Sequence, residues 1–526
     1  MRLIGAKEQQ AIDRAWQKHT GLPLILLMEA AAYAVVRHCN RLAADRGADT
    51  LPVLILCGRG QNGGDAYASA RLLAAAGWSV NCRELFPDAI LPEEAAANRK
   101  ALINLGIPLA TPQPEDFTSL RGGLIIDGIF GSGFDVSRTV PGIFRSVSQW
   151  TADAGQSDNQ IIAIDVPSGL DSNSGLAVDC AIRADWTVTF IRPKIGLCSA
   201  PGRFIAGRLV IEPIGIEHDF VEHILKQEDQ KPVYQITGAM VKPWCPYRPP
   251  DGHKGLFGRL LIAGGSVSMP GALVLAAEAA ARSGTGLLQL AIPSEISPVI
   301  VSACPEALQL HLVQDDDLEK TIELALAVAD CAVIGPGLGS PDLLADLLAL
   351  VIAQARHLVI DADALNEISR RPDYYWRLLK KRIGSGDKGI PVLTPHPGEF
   401  HRLAPDLDVQ DRLQAASGLA VRSGCIIVLK GAATIVSAPD GSCWINTTGQ
   451  DGLARGGSGD VLAGLIGALL AQGLTALQAA CAGVYFHGLA ADLAAKQRGR
   501  RAMLPRDVIR QLGSAFHQAG WEVEDV

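Results

Sequence analysis

The sequence predicts two α/β domains in series, each a mostly parallel sheet with helices on both faces, and three observations carry that prediction. Short runs rich in Val, Ile and Leu alternate with helix-length Ala/Leu segments, the pattern of strands buried on both faces. The rhythm lapses once, in a polar stretch without an apolar period, and then resumes. With 526 residues, 48% of them hydrophobic and only 19% charged, the chain has enough apolar surface for two cores of ordinary size. The expected division is a first domain over 1–222, a linker over 223–235 and a second domain over 236–526.

In chain order, Ala6 to Arg46 reads as two helices. Strands are then expected in "LPVLILCG" (51–58), "WSVNCREL" (78–85), "GGLIIDGIFG" (122–131), "QIIAIDVPSG" (160–169) and "DWTVTFIRP" (185–193). Beyond the linker the series continues with "GRLLIAGGS" (258–266), "GLLQLAIPS" (286–294), "CAVIGPGLG" (331–339), "HLVIDADALN" (357–366), "IPVLTPHPGEF" (390–400) and "CIIVLKG" (425–431). A hairpin turning at Asp440-Gly441 follows, within "ATIVSAPDGSCWIN". Most polar and glycine motifs fall just after these strands, where open α/β sheets bind their ligands.

Composition excludes several classes. The net charge of −8 and the absence of a block of five or six basic residues argue against a nucleic-acid partner. The eleven cysteines are scattered, with no C-x-x-C pair and no metal-ligand spacing, which is reduced, cytoplasmic usage. The opening "MRLIGAKEQQAIDRAW" interrupts with charges where an export signal needs an apolar core. Val461 to Ala491 is free of Asp, Glu, Lys and Arg, but Gln472, Gly473 and Thr475 split it into two pieces, so no membrane association is expected.

Two glycine runs each end in Asp. "GGSGD" (Gly456 to Asp460) can turn successive backbone N–H groups toward an anion at a helix N-terminus. Taken alone, Asp460 reads equally well as a helix cap or as a functional carboxylate. "GRGQNGGDAY" (Gly58 to Tyr67) follows a strand and opens a helix, but it lacks the G-K-[ST] of a P-loop and the spacing of a dinucleotide fingerprint.

Companion motifs separate these readings. "HKGLFGRLLIAGGSVSMPGALVLAAEAAARSGTG", "GPGLG", "DADALN", "LTPHPGEF", "LKGAAT" and "GGSGD" occur in an order that resembles the ribokinase-like superfamily, and within it the ADP-dependent NAD(P)H-hydrate dehydratases, from about Gln235 to the C-terminus. The resemblance implies a ribokinase-like fold with Asp460 as catalytic base, taking a proton from the substrate hydroxyl as it attacks a nucleotide phosphorus. It places Lys430, Gly431, Ala432, Ala433, Thr434 and Gly459 on the nucleotide. Ala272, Gly337, His396 and Asp460 fall on the hydrated nicotinamide. Mg²⁺ is the implied metal there, with ADP as co-substrate. His396 also reads as a turn histidine, and Asp361 and Asp363 as caps of the helix carrying Leu365.

"GRGQNGGDAY", with "DGIFGSGFDVSR" (127–138), "IDVPSGLDSNSG" (164–175) and "TFIRPKIGLCSAPGRFIAGRL" (189–209), resembles the NAD(P)H-hydrate epimerase domain over about residues 1 to 220. The chain departs from that family at Gln61 and Ala66, where Asn and Gly are usual, and at Ala30 and Ala32. The implied fold is Rossmann-like. The resemblance places the substrate on Gln61, Asn62, Gly63, Gly64 and Asp65, on the loop Gly131, Ser132, Gly133, Phe134, Asp135, Val136 and Ser137, and on Asp165. It places a potassium ion (K+) on Asn62, Asp127 and Ser168, and an acid–base pair on Asp165 and Lys194.

The expected function is repair of hydrated nicotinamide cofactors. One domain would interconvert the R and S forms of NADHX and NADPHX. The other would dehydrate the S form, coupled to conversion of ADP to AMP and phosphate. The alternative is a ribokinase-like small-molecule kinase with a non-catalytic N-terminal nucleotide-binding or interaction module. The expected partners are NADHX, NADPHX and ADP, with no nucleic acid and no membrane, in a homo-oligomer whose order the residues leave open.

Overall fold

Strands buried on both faces must be joined by crossovers, and here the joining segments are helices, so neighbouring strands run parallel. The structure, a computed structural model, describes residues 1–313, 317–339, 341–386 and 388–522. It divides into two units, one spanning Arg2–Gln230 and the other Lys231–Val526 together with Met1. Within the stretch read as a linker, a helix that begins at His218 runs on to Leu225, and a strand starts at Val233.

The first unit holds β1 (Val53–Cys57), β2 (Val80–Glu84), β3 (Leu109–Ala110), β4 (Leu124–Gly128), β5 (Gln160–Ile164), β6 (Trp186–Phe190) and β7 (Arg208–Glu212). They form one parallel sheet in the order β3-β2-β1-β4-β5-β6-β7. All five residues of β1 and of β4 are buried. Strand order reverses between β1 and β4, so a crevice opens beyond their carboxyl ends. Two helices, Ala6–Thr20 and Ile25–Asp45, precede the sheet, and Gln61–Ala75 follows β1 directly.

The second unit holds β8 (Val233–Ile236), β9 (Arg259–Ala263), β10 (Leu287–Ile292), β11 (Leu308–His311), β12 (Cys331–Ile334), β13 (His357–Ile360), β14 (Val392–Leu393), β15 (Ile426–Leu429), β16 (Ile435–Ser437) and β17 (Cys443–Asn446). Their order is β8-β17-β16-β15-β14-β13-β12-β9-β10-β11. Pairing is parallel from β15 through β11, and β16 runs antiparallel to both its neighbours, which is the hairpin expected around Gly441. Here the order reverses between β9 and β12. The loops after those two strands touch, since Gly265 N–H donates to Pro336 O at 2.8 Å.

The charge-free segment becomes two helices, Ser458–Ala471 and Ala476–Arg498. Ser458–Ala471 is buried along almost its whole length and packs against the helix Pro270–Arg282. Among the described residues no helix is long and apolar enough to cross a membrane.

Candidate active sites

In the first unit, backbone packing shapes the cradle at the β1/β4 reversal. A Cβ on Gly63 would lie 2.0 Å from Gly58 O, and one on Gly58 would lie 1.8 Å from Ile129 O. Only glycine lets the turn after β1, the first turn of the Gln61 helix and the loop after β4 approach this closely. The result is a cavity of about 460 Å³ whose walls include Gln61, Asn62, Asp65, Gly131–Asp135 and Asp165. Phe86, Phe130 and Phe134 form an aromatic wall, with Phe130 stacked 5.1 Å from Phe134.

Asp165 enters this cavity from just past β5 with φ at 63°, a left-handed backbone that a non-glycine residue adopts at a cost. Such strain persists only where the surroundings fix it, and Lys194 does so: its Nζ lies 2.5 Å from Asp165 Oδ1. The same Nζ donates to Thr189 Oγ1 and to Phe190 O, and the lysine side chain is 0% exposed. Lys194 therefore stands behind Asp165, off the cavity wall.

Asn62, Asp127 and Ser168 also converge. Ser168 Oγ donates to Asp127 Oδ1 at 2.5 Å, Ser168 N–H donates to Asp127 Oδ2, and Asn62 Nδ2 donates to Phe130 O at 3.0 Å. Asp127 is 0% exposed, and burial pushes its carboxyl up to about 6 against the hydrogen bonds from Ser168. No cationic side chain pairs with it among the described residues, so this buried carboxylate, a hydroxyl and backbone carbonyl oxygen form an oxygen-rich set that suits a hard cation.

The second unit gathers its residues at the β9/β12 reversal and beside it. Gly337 takes φ at 63°, and a Cβ there would meet the Ala272 methyl at 2.9 Å, so these two expected substrate residues are neighbours. Gly339 N–H donates to Asp363 Oδ2. Lys430 Nζ lies 2.7 Å from Asp361 Oδ1 and 3.8 Å from Glu399 Oε2, and a Cβ on Gly459 would sit 3.2 Å from that same Nζ. Gly431 to Thr434 follow in the turn before β16, where Ala433 takes φ at 54° and Thr434 Oγ1 donates to Gly431 O.

His396 is the N-cap of the helix Pro397–Leu403, its Nδ1 accepting from Gly398 and Glu399 N–H, so its local hydrogen-bonding role is realised. Half of the ring is exposed, and Nε2 lies 3.3 Å from Glu399 Oε1. Asp460 stands at the first turn of Ser458–Ala471, after Gly457 with φ at 94°. Burial and the nearby Asp361 carboxylate push its carboxyl up to about 7, with Lys430 opposing.

Two residues of these sites escaped the sequence reading. Asp13, on Ala6–Thr20, lines the first cavity, and burial pushes its carboxyl up to about 6. Its only signal was a polar residue amid the otherwise ordinary "AIDRAW". Glu399 was quoted only within "PGEF", yet it joins His396 to Lys430.

Comparison with known proteins covers both units. Residues 260–513 match the family described as NAD(P)H-hydrate dehydratase, and residues 25–196 match the YjeF-related protein N-terminus. A bifunctional NAD(P)H-hydrate repair enzyme of Moorella thermoacetica is 36% identical, over 100% of this chain and 98% of its own length. The enzyme of that name from Escherichia coli is 37% identical, over 94% of this chain and 89% of its own. Among solved structures, an ADP/ATP-dependent NAD(P)H-hydrate dehydratase from Bacillus subtilis, co-crystallised with ATP and Mg²⁺, aligns at 29% identity and a TM-score of 0.46, covering 55% of this chain and 99% of its own. With both halves present and relatives matched from end to end, the chain belongs to the bifunctional NAD(P)H-hydrate repair enzymes.

Proposed function

We propose that the first domain, expected over 1–222, epimerises R and S NADHX and NADPHX in the cavity at the β1/β4 reversal, and that the second, expected over 236–526, dehydrates the S form at the expense of ADP. The observation that carries the second assignment is Asp460. Its carboxyl, raised to about 7, sits beside a glycine turn and close to Lys430, so near neutral pH it is both available and basic enough to take a proton. A carboxylate held at its ordinary value would be a weaker base.

In this reading Asp460 removes the proton of the C6 hydroxyl as that oxygen attacks the β-phosphorus of ADP. The bond from β-phosphorus to the bridging oxygen breaks and AMP leaves. The ring nitrogen's lone pair then expels phosphate from C6, and loss of a C5 proton completes the dihydronicotinamide. The elements of water thus leave as the phosphate oxygen and a proton. The N–H groups of Gly456–Gly459 hold the phosphoryl oxygens, and Lys430, with Gly431, Ala432, Ala433 and Thr434, meets the nucleotide. When bound, Mg²⁺ neutralises charge on the ADP phosphates. Ala272, Gly337 and His396 border the hydrated ring.

In the first domain, Gln61–Asp65 and Gly131–Ser137 receive the substrate phosphates and Asp165 exchanges protons with the substrate, with Lys194 as its ion-pair partner. The buried Asp127, with Ser168 and Asn62, would hold K+, whose charge supplies a counterion for substrate phosphate. The test is to give the purified chain pure S-NADHX and ADP and to follow dihydronicotinamide absorbance together with AMP and phosphate. One AMP and one phosphate per NADH is expected. A stable phosphorylated product in place of NADH overturns the reading.

A further inference from the structure

Inversion at C6 of the hydrated ring needs two proton carriers. The hydroxyl leaves as water once a carboxylic acid protonates it: the C6–O bond breaks and the nitrogen lone pair closes to a C=N⁺ bond. Water then adds to C6 from the opposite face, its proton passing to a second carboxylate, and the C=N⁺ electrons return to nitrogen. No net proton or electron is consumed. The two carboxyls end with their protonation states exchanged, ready for the reverse reaction.

Asp165 is one such group. Lys194 does not serve as the other, because an ammonium has three N–H donors and all three have acceptors: Asp165 Oδ1, Thr189 Oγ1 and Phe190 O. It is also fully buried, with no surface from which to meet a substrate.

We propose that Asp13 is the second proton carrier of the epimerase cavity, acting with Asp165 on the substrate. The inference rests on the reading that epimerisation occurs in this cavity. Asp13 lines the cavity together with Asp165 and Asp65. It comes from the helix Ala6–Thr20, which precedes the sheet and also brings Gln9 and Gln10 to the cavity wall. That helix is tied to the loop bearing Lys194, because Ile4 N–H donates to Pro193 O and Ile195 N–H donates to Ile4 O. Gly5 N–H donates to the buried Glu8, which pairs with Arg2, and Ala6 N–H donates to Asn173 Oδ1, fixing the first turn. One Asp13 oxygen accepts from Gln9 Nε2 at 2.9 Å.

Asp65 is the rival carboxyl on the same wall. Burial, with the charges of Asp165 and Asp13, holds it well above its ordinary value. Asp13, raised by burial to about 6 with Gln9 and Lys194 opposing, gains and loses its proton near neutral pH.

The test uses the full chain carrying Asp13→Asn or Asp165→Asn, pure R-NADHX, and three readouts: R-to-S conversion, calorimetric substrate binding without ADP in a chain also carrying Asp460→Asn, and ADP-dependent dehydration of pure S-NADHX. Asp13→Asn is expected to slow epimerisation by ~10²–10⁴, the worth of a positioned acid or base, with binding and dehydration unchanged. Wild-type epimerisation in Asp13→Asn alongside a dead Asp165→Asn overturns the assignment and leaves the cavity reading standing. Wild-type epimerisation in both overturns the cavity reading as well. Loss of substrate binding together with turnover in Asp13→Asn also overturns the assignment, because it marks the residue as an anchor.

Discussion

At the scale of single residues, Asp460 has two readings that make opposite forecasts. As a cap it would be replaceable, since Asn caps about as well as Asp. Yet no hydrogen bond reaches its carboxylate among the described residues, and the helix carries no capping box of the kind that Glu8 and Glu399 make. As a base it is irreplaceable. Asp460→Asn is therefore expected to lower dehydration by ~10²–10⁴ in single-turnover measurements and to leave epimerisation unchanged. In the wild type, dehydration should rise with pH through about 7, because the base works ionised. Stability runs the other way. A folded-state value raised from 3.8 to about 7 means the folded chain binds more protons than the unfolded one across that window, so wild-type stability declines as pH rises through it. The Asn variant lacks that decline, so its melting temperature should gain on the wild type between about pH 4 and pH 7. Asp460 and Asp165 were legible because each sits in a motif. Asp13 was not, because its neighbours in space, Asp165 and Lys194, are more than 150 positions away in sequence.

At the scale of elements, the sequence revealed strands in proportion to their burial. The five first-unit runs and the six second-unit runs read as strands all form. Of strands β1 to β17, the four that went unread are β3, β7, β8 and β11, and of them β3, β7 and β11 are edge strands with half-exposed, weakly patterned residues. An edge strand has one neighbour and less apolar surface to announce it. Glycine placement was visible, but its cause was not. Gly464 lies inside Ser458–Ala471, where a Cβ would sit 2.0 Å from Ala276 O on the paired helix. Gly464→Ala is expected to destabilise the second unit by ~1–3 kcal/mol, read as a lower denaturant midpoint. Ala66, a departure from the epimerase pattern, faces Gly128, where a side chain would stand 2.5 Å from its methyl. The loop cluster around Asp127 gives a separate forecast. Asp127→Ala should abolish any potassium dependence of epimerisation and weaken substrate binding in the first cavity, measured by titration with and without K+, while dehydration of S substrate persists.

At the scale of the whole molecule, the question is whether joining the two activities in one chain does more than supply them in equal amounts. Each unit has its own sheet, its own strand-order reversal and its own carboxylate at the candidate site, Asp165 in one and Asp460 in the other. Among the described residues, those placed at each candidate site come from one unit, so the S epimer is expected to pass through solution. Complementation tests this directly. Starting from pure R-NADHX with ADP, Asp165→Asn alone should yield NADH only as fast as spontaneous epimerisation allows. Asp460→Asn alone should accumulate S-NADHX without NADH. An equimolar mixture of the two variants should regenerate NADH at close to the rate of the wild-type chain at the same concentration of each active site. A mixture that stays far slower, while each variant retains its one remaining activity in full, would show that the epimer is handed over within the chain, and the independence argued here from two self-contained sites would be wrong.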